Sequence, residues 1–413
     1  MYIKTSMHLL KNIANMKNFV FISPHFPETY YRFVVALKKN GFRVLGIGDA
    51  PYDQLPKPLK ENLDEYYACW NMDNFDDEIA AVRYFENKYG HIDYLESNNE
   101  YWLERDAKLR DMFGIDTGVG YKQIQMYQHK SLMKKGYEKA GAKTAKYILI
   151  DTYENALKFA AEVGYPIFIK PDYGVGAEGD FKIKNEEDLK HFFDVKDPFT
   201  TYICEQYIYG NIISFDGVAD SHSNVVFCTS NFFPPSIAEV VEEKKDVFYY
   251  TLPKVPADLL KLGKKVVKAF NVQKRFFHME FFRLLEDVPG LAKKGEIVPL
   301  ETNMRPAGGY TPDLINFANS IDCYQVWADV IAFDENRQED KYPHYYAGCA
   351  SRRDCHDYLR SDEEILEKYK DRICVYGRYP KVLSGAMGDR YFMGKFDNVK
   401  QLDEFREYVG MRK

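Results

Sequence analysis

Apolar positions change their spacing along the chain, and those changes divide it. From Asn18 the run NFVFISP is almost continuously apolar, Glu28 to Lys39 repeats at helical spacing, Asn40-Gly41 supplies a stop, and FRVLGIG is a second apolar run. Asp76 to Tyr89 is again helical in period and leads into HIDYLES. Strands alternating with helices predict a small parallel α/β layer from residue 17 to about 120. From Lys130 a helix to Ala140, a strand in TAKYILI, a helix from Tyr153 to Val163 and an apolar strand YPIFIKP follow. TYICEQYIYG, IISFDGVAD and NVVFCTS then alternate apolar with polar residues, the mark of antiparallel strands, before a helix from Ala257 to Phe270 enters RFFHMEFFRLL. Beyond about Tyr342, CVYGRY and DRYFMGKF are strand candidates and Leu402 to Tyr408 a helix. The expected fold class is α/β followed by α+β.

At 413 residues the chain is long enough for two or three domains. Its 56 Lys and Arg against 62 Asp and Glu leave a formal charge of −6, so no basic excess exists to neutralise a phosphate backbone, and nucleic acid is not an expected partner. The 33 Tyr and 29 Phe are read as core and cleft walls. Seven scattered cysteines include no C-x-x-C pair, and no apolar run is long enough to span a bilayer; a cytoplasmic protein with no membrane partner is expected. Residues 1–16 are expected to be an extension ahead of the first strand.

The chemistry is concentrated in a few words. YPIFIKP ends on Lys170, and Gly174, Gly176 and Gly179 follow at once, a turn whose backbone N–H groups can approach a phosphate. It joins strand to strand and lacks G-K-[ST], so it is not a Walker loop. Gly46-Ile-Gly48 lacks the third glycine of a dinucleotide fingerprint. Further on, IVPLETN places Glu301 and Asn303 on one strand face by the two-residue period. With the strand of Glu280 alongside, three oxygen donors make a hard-cation site that leaves room for phosphate oxygens. Arg305 follows, in front of Pro306, Ala307, Gly308 and Gly309, a guanidinium on a stiff turn suited to a carboxylate or phosphate. The pair Arg352-Arg353 is either a second carboxylate grip or simply exposed.

In this order the words resemble the ATP-grasp superfamily, closely from Lys130 to Gly309, in its carboxylate–amine and L-amino acid ligase branch, which is related to biotin carboxylase and carbamoyl phosphate synthetase. The resemblance implies an N-terminal Rossmann-like layer (17–125), a first grasp subdomain with the lid (126–205), a central subdomain (206–340) and a C-terminal part that completes it (341–413). It implies that Lys130 and Lys170 hold the ATP phosphates, that Gly174, Gly176 and Gly179 form the lid, and that Glu205, Gln206, Tyr207 and Ile208 are the hinge that meets adenine. Glu280, Glu301 and Asn303 would carry two magnesium ions, with manganese as an alternative, and Arg305 would be catalytic. Where many members have a ribose-binding glutamate this chain has Ile212; Asn211, Ser214 and Asp216 are the candidate substitutes. His129 stands where aspartate is common.

The implied reaction begins when a substrate carboxylate attacks the γ-phosphate of ATP, with Lys130, Lys170 and the ions offsetting the repulsion. An amine then displaces phosphate from the acylphosphate, and Arg305 with the Gly308-Gly309 backbone steadies the oxyanion. The expected products are ADP, phosphate and an amide or dipeptide built from small carboxylate and amine substrates such as amino acids. Activation of bicarbonate at the same ATP site and an ATP-binding module without turnover are the two alternatives. A homodimer is the base-rate expectation for assembly.

Overall fold

Short apolar runs in the N-terminal third have two buried faces because they pair in parallel with helices on both sides. The computed structural model of the chain describes residues 16–174, 179–234, 246–339 and 343–413. Gly176 and nearly all of the expected N-terminal extension thus lie outside the described residues. Strands β1 (Asn18–Ile22), β2 (Arg43–Gly48), β3 (Glu65–Ala68) and β4 (Tyr94–Glu96) form a parallel sheet in the order β3-β2-β1-β4. Alternation along β1 sends Phe19 and Phe21 to one face, against Phe33, Leu37 and Trp327, and Val20 and Ile22 to the other, against Val82, Phe85 and Leu109. Trp327 comes from a helix far along the chain, Cys323–Phe333, which the sequence pattern did not reveal because it is buried from Cys323 to Ile331, its polar residues Gln325 and Asp329 included.

A second sheet is antiparallel and small: β5 (Tyr147–Leu149), β6 (Ile167–Pro171), β7 (Phe181–Ile183) and β8 (Tyr202–Gln206), ordered β5-β8-β6-β7. Ile167, Ile169, Tyr202 and Cys204 pack under the helices Tyr153–Val163 and Glu186–Val195. The two-residue period therefore turns Lys170 and Glu205 to the opposite face, toward the helix Lys130–Lys139.

The third sheet has nine strands among the described residues: β9 (Gly210–Ala219), β10 (Val225–Thr229), β11 (Asn231–Phe233), β12 (Phe248–Thr251), β13 (Arg275–Leu284), β14 (Ile297–Asn303), β15 (Tyr346–Arg352), β16 (Ile373–Arg378) and β17 (Arg390–Phe396). Its order is β14-β13-β9-β11-β12-β15-β17-β16, with β10 also on β9, so the C-terminal strands extend the sheet begun in the middle of the chain. Phe215, Phe277, Met279 and Phe281 pack against the helices Lys130–Lys139 and Ala257–Ala269. Gly136 leaves room for Phe270, which lets the two helices approach each other, and Gly263 leaves room for Phe215, which lets the second helix lie close on β9. Among the described residues no helix is long and apolar enough to cross a membrane.

The N-terminal layer is joined to the large sheet by a buried ionic knot. Glu96, at the end of β4, meets Arg275 of β13 at 3.1 Å and Arg110 at 3.5 Å, and Arg275 also donates to the Met304 carbonyl at 3.2 Å.

Candidate functional site

Three adjacent strands of the large sheet place six polar side chains in two rows on one face. Asp216 of β9, His278 of β13 and Asn303 of β14 are direct cross-strand neighbours, and so are Ser214, Glu280 and Glu301. The register shifts at Leu300, between the partners of Glu280 and Phe281, and keeps Glu301 and Asn303 on the same face as Glu280. Thr302 points the other way and bonds the Tyr137 hydroxyl at 2.7 Å. Glu280 and Glu301 are thus opposed hard-oxygen donors with Asn303 beside them. This set fits magnesium shared with phosphate oxygens. Among the described residues no group of three or more His, Cys, Asp or Glu side chains could hold a metal by itself, so a ligand would have to complete the shell.

His278 divides this face. Its Nδ1 meets Asp216 Oδ1 and its Nε2 lies 3.4 Å from Glu280 Oε1. Burial alone would lower its pKa, but the two carboxylates outweigh burial and push it up to about 10, so it is an imidazolium. Burial likewise opposes ionisation of Glu280, and His278 overcomes it to hold that carboxyl below its usual range. Asp216 is fully engaged, with Ser214, Asn231 and His278 as partners. Asp216 thereby holds the His278 ring in place. Ile212 is buried and stands opposite Phe282 in the sheet, while Ile208 belongs to a small apolar cluster with Val288 and Val298.

Asp172, just after β6, ties the two lysine-bearing elements together. Its side chain accepts from Ser131 N at 2.7 Å and Ser131 Oγ at 3.0 Å and meets His129 Nδ1 at 3.0 Å, while its carbonyl accepts from Lys130 N at 2.8 Å. The start of the helix Lys130–Lys139 is thereby pinned to the end of β6, which fixes Lys130 relative to Lys170. Lys130 Nζ donates to the Gly174 carbonyl at 3.0 Å, at the near end of the glycine segment. Gly174 and Gly179 have φ of 124° and 81°, a backbone that side-chain-bearing residues rarely adopt. Lys170 lies 2.6 Å from Glu205 Oε2, and Lys134, which sequence reasoning passed over, takes Glu205 Oε1. Burial would raise the Glu205 pKa, yet the two ammonium groups hold it at about 2. Of the other residues expected at the hinge, Gln206 N bonds the Lys146 carbonyl at 2.9 Å, the Tyr207 hydroxyl accepts from Lys182 at 3.0 Å, and Ile208 is buried.

Arg305 leaves β14 toward the N-terminal layer. Its Nε is 3.1 Å from Glu100 Oε2, and its own NH1 donates to the Pro306 carbonyl at 2.9 Å. Gly308 accepts from Thr311 N and Oγ1, closing the turn onto the helix Thr311–Asn319, and Gly309, with φ of 62°, faces Met387. Glu100 sits beyond the carboxyl end of β4, beside the point where β1 is flanked by β2 and β4, the usual ligand crevice of an open parallel sheet. Burial, with Glu301 adding to it, raises the Glu100 pKa against the pull of Arg305. Asn98 in the same loop is fully buried, and neither atom of its amide has a hydrogen-bond partner among the described residues. Arg352 and Arg353, by contrast, are both buried: Arg352 pairs with Asp362 at 3.0 Å, and Arg353 donates to the Ser384 and Gly385 carbonyls.

Asp180, just past the glycine segment, lies within electrostatic reach of Lys170, Lys130, Glu301 and Glu205. Burial, helped by the two glutamates, pushes its pKa up to about 6 against both lysines. Above that value it adds a negative charge beside the cations; below it the charge disappears. Affinity for a metal-free triphosphate is therefore expected to rise about tenfold between about pH 7.5 and 5.5, more than in Asp180→Asn. Titration calorimetry of both proteins across that range checks the difference.

Sequence signals existed for some of the missed residues. Lys134 is four positions from Lys130 and so shares its helix face, and His278 is two positions from Glu280 and so shares its strand face. Glu100 and Asp180 lie in loops, where no period applies.

Residues 129–243 match the family model described as "Carbamoyl-phosphate synthase L chain, ATP binding domain". A carbamoyl phosphate synthase large chain from Caldanaerobacter subterraneus subsp. tengcongensis is 27% identical over 137 residues, which is 32% of this chain and 13% of that protein. Alanine–anticapsin ligase of Bacillus subtilis is 22% identical over 325 residues, 68% of this chain and 63% of that protein. The chain thus spans less than two thirds of the length of either relative. In three dimensions it superposes on an L-amino acid ligase from Bacillus licheniformis with a TM-score of 0.70 at 14% identity, covering 95% of this chain and 96% of that one. The fold is that of the ATP-grasp superfamily, with a parallel α/β layer ahead of the grasp.

Proposed function

We propose that the chain is an ATP-dependent carboxylate–amine ligase that forms an amide or dipeptide through an acylphosphate and releases ADP and phosphate. The observation that carries this reading is the meeting of opposed Glu280 and Glu301, with Asn303, within electrostatic reach of Lys170, while Arg305 turns from the same strand end toward Glu100. In this reading Lys130, Lys170 and the glycine segment hold the phosphates, and Glu205 to Ile208 receive the adenine. Glu280, Glu301 and Asn303 would hold magnesium, which supplies charge neutralisation at the phosphates when bound. Arg305 orients the substrate carboxylate and then steadies the oxyanion formed as the amine attacks. Glu100 gives the far side of the cleft an acceptor for an ammonium group, which supports an amino acid over a simple carboxylate.

The match to the carbamoyl phosphate synthase family model favours bicarbonate as the alternative substrate, but bicarbonate has no ammonium for Glu100 to receive. Phosphate release with magnesium and ATP, screened over pairs of amino acids, tests the proposal, with hydroxylamine added to trap the acylphosphate as a hydroxamate. The expected result is release that requires a carboxylate and an amine together, with hydroxamate formed from one member of the productive pair. ADP formation driven by bicarbonate alone would replace this reading with the alternative, and tight ATP binding without ADP from any mixture would reduce the protein to a nucleotide-binding module.

A further inference from the structure

Two ammonium groups share one buried carboxylate at the hinge, although the proposed function gives a task to only one of them. Glu205 is 6% exposed, Lys170 4% and Lys134 2%, so this is a desolvated cluster of two cations and one anion. Lys170 approaches from β6 and Lys134 from the helix Lys130–Lys139, each on its own oxygen of Glu205. Lys134 is one helical turn from Lys130, which reaches the Gly174 carbonyl. The helix thus presents one ammonium at the glycine segment and another at the hinge.

A triphosphate entering this cleft competes with Glu205 for Lys170. If Lys170 turned to phosphate and nothing replaced it, Glu205 would be a buried, unpaired carboxylate and would take up a proton. A protonated carboxyl both donates and accepts, so it receives a 6-oxo purine as readily as a 6-amino purine. An ionised carboxylate only accepts, so it favours the amino group and repels the oxo group. Lys134 is the one of the two cations whose helix position leaves it beside Glu205 when Lys170 engages phosphate.

We propose that Lys134 is a positioning residue that holds Glu205 as an ionised acceptor and thereby makes the nucleotide site select a 6-amino purine, while freeing Lys170 for the phosphates. This rests on the reading that places the purine at Glu205. It goes beyond that reading by assigning base selectivity to a side chain that would not itself touch the base.

Binding of ATP and of inosine triphosphate, measured by calorimetry on the full chain with magnesium, tests it in the wild type, Lys134→Met, Lys134→Gln, Lys134→Arg and Glu205→Gln. The wild type is expected to prefer ATP by about tenfold or more, the two neutral Lys134 variants to bring the two affinities within about threefold, and Lys134→Arg to restore the preference. A purely structural role would lower the melting temperature and leave the ratio of affinities unchanged. A folded Lys134→Met or Lys134→Gln protein with the wild-type ratio overturns the assignment while leaving the ATP site standing. A wild type that binds neither nucleotide, or a Glu205→Gln protein with undiminished preference for ATP, shows instead that the purine is not at Glu205, and both readings fall together.

Discussion

Glu301→Ala is expected to lower substrate-dependent phosphate release on the order of 10³-fold while leaving the protein folded. Glu301 lies on β14, an edge strand among the described residues, and is only partly buried, so truncation removes a charge without opening a core. What it removes is one of two opposed carboxylates. Glu280 cannot substitute, because His278 already pulls on it from 3.4 Å. The loss should fall mainly on kcat, since the charge that the site neutralises grows as the phosphoryl group transfers. Asn303→Ala, which removes a neutral donor from the same face, should cost less. Circular dichroism and a melting curve establish folding, and the phosphate assay reads the effect. Undiminished turnover in Glu301→Ala would remove this residue from the mechanism.

Glu96→Ala should act in the opposite way, on the fold before the chemistry. Glu96 is the anion between Arg275 and Arg110, and all three side chains are buried at the junction of the N-terminal layer with β13. Without it two guanidinium groups remain in a desolvated site, at a cost of about 3–5 kcal/mol. That is a large part of the roughly 5–15 kcal/mol that stabilises a typical native protein. A markedly lower melting temperature, or recovery only as aggregate, is expected. The pH dependence follows from the direction of the shift. Burial opposes ionisation of Glu96, but Arg275 and Arg110 prevail and hold its folded-state pKa below the ordinary carboxylate value. Its contribution is therefore complete above the unfolded carboxylate range and is lost as pH falls through the lower, folded value. Wild-type melting temperatures across acidic pH should show a decline that the variant lacks. A variant as stable as wild type would show that the knot is dispensable.

The sequence and the structure agree most closely where a local period operates. FIKP turns Lys170 away from the helices because a strand buried on one side points alternate residues to the other, and LETN turns Glu301 and Asn303 to one side for the same reason. They part where burial is complete on every side. The helix Cys323–Phe333 buries even its polar pair Gln325 and Asp329, so exposure gives it no period, and no local signal marks the strands Phe248–Thr251 and Tyr346–Arg352, which connect the middle of the large sheet to its C-terminal strands. Arg352-Arg353 looked like a surface pair or a substrate grip, yet Arg352 is 1% exposed and bound to Asp362. Long-range pairing decides such cases, and a linear pattern carries no trace of it.

What the sequence determined by itself is the chemical inventory and its local geometry: which lysines end strands or begin helices, which glycines permit positive φ, and which carboxylate and amide share a strand face. These depend on neighbours within a few positions, through steric and periodic rules. Only the tertiary structure decided how that inventory is wired. It put Asp216 on His278, Lys134 on Glu205, and Glu100 opposite Arg305, across separations of 62, 71 and 205 positions. Those pairings arise because buried charges must find partners wherever the packed sheets bring them together, and distance along the chain has no bearing on which partner that is.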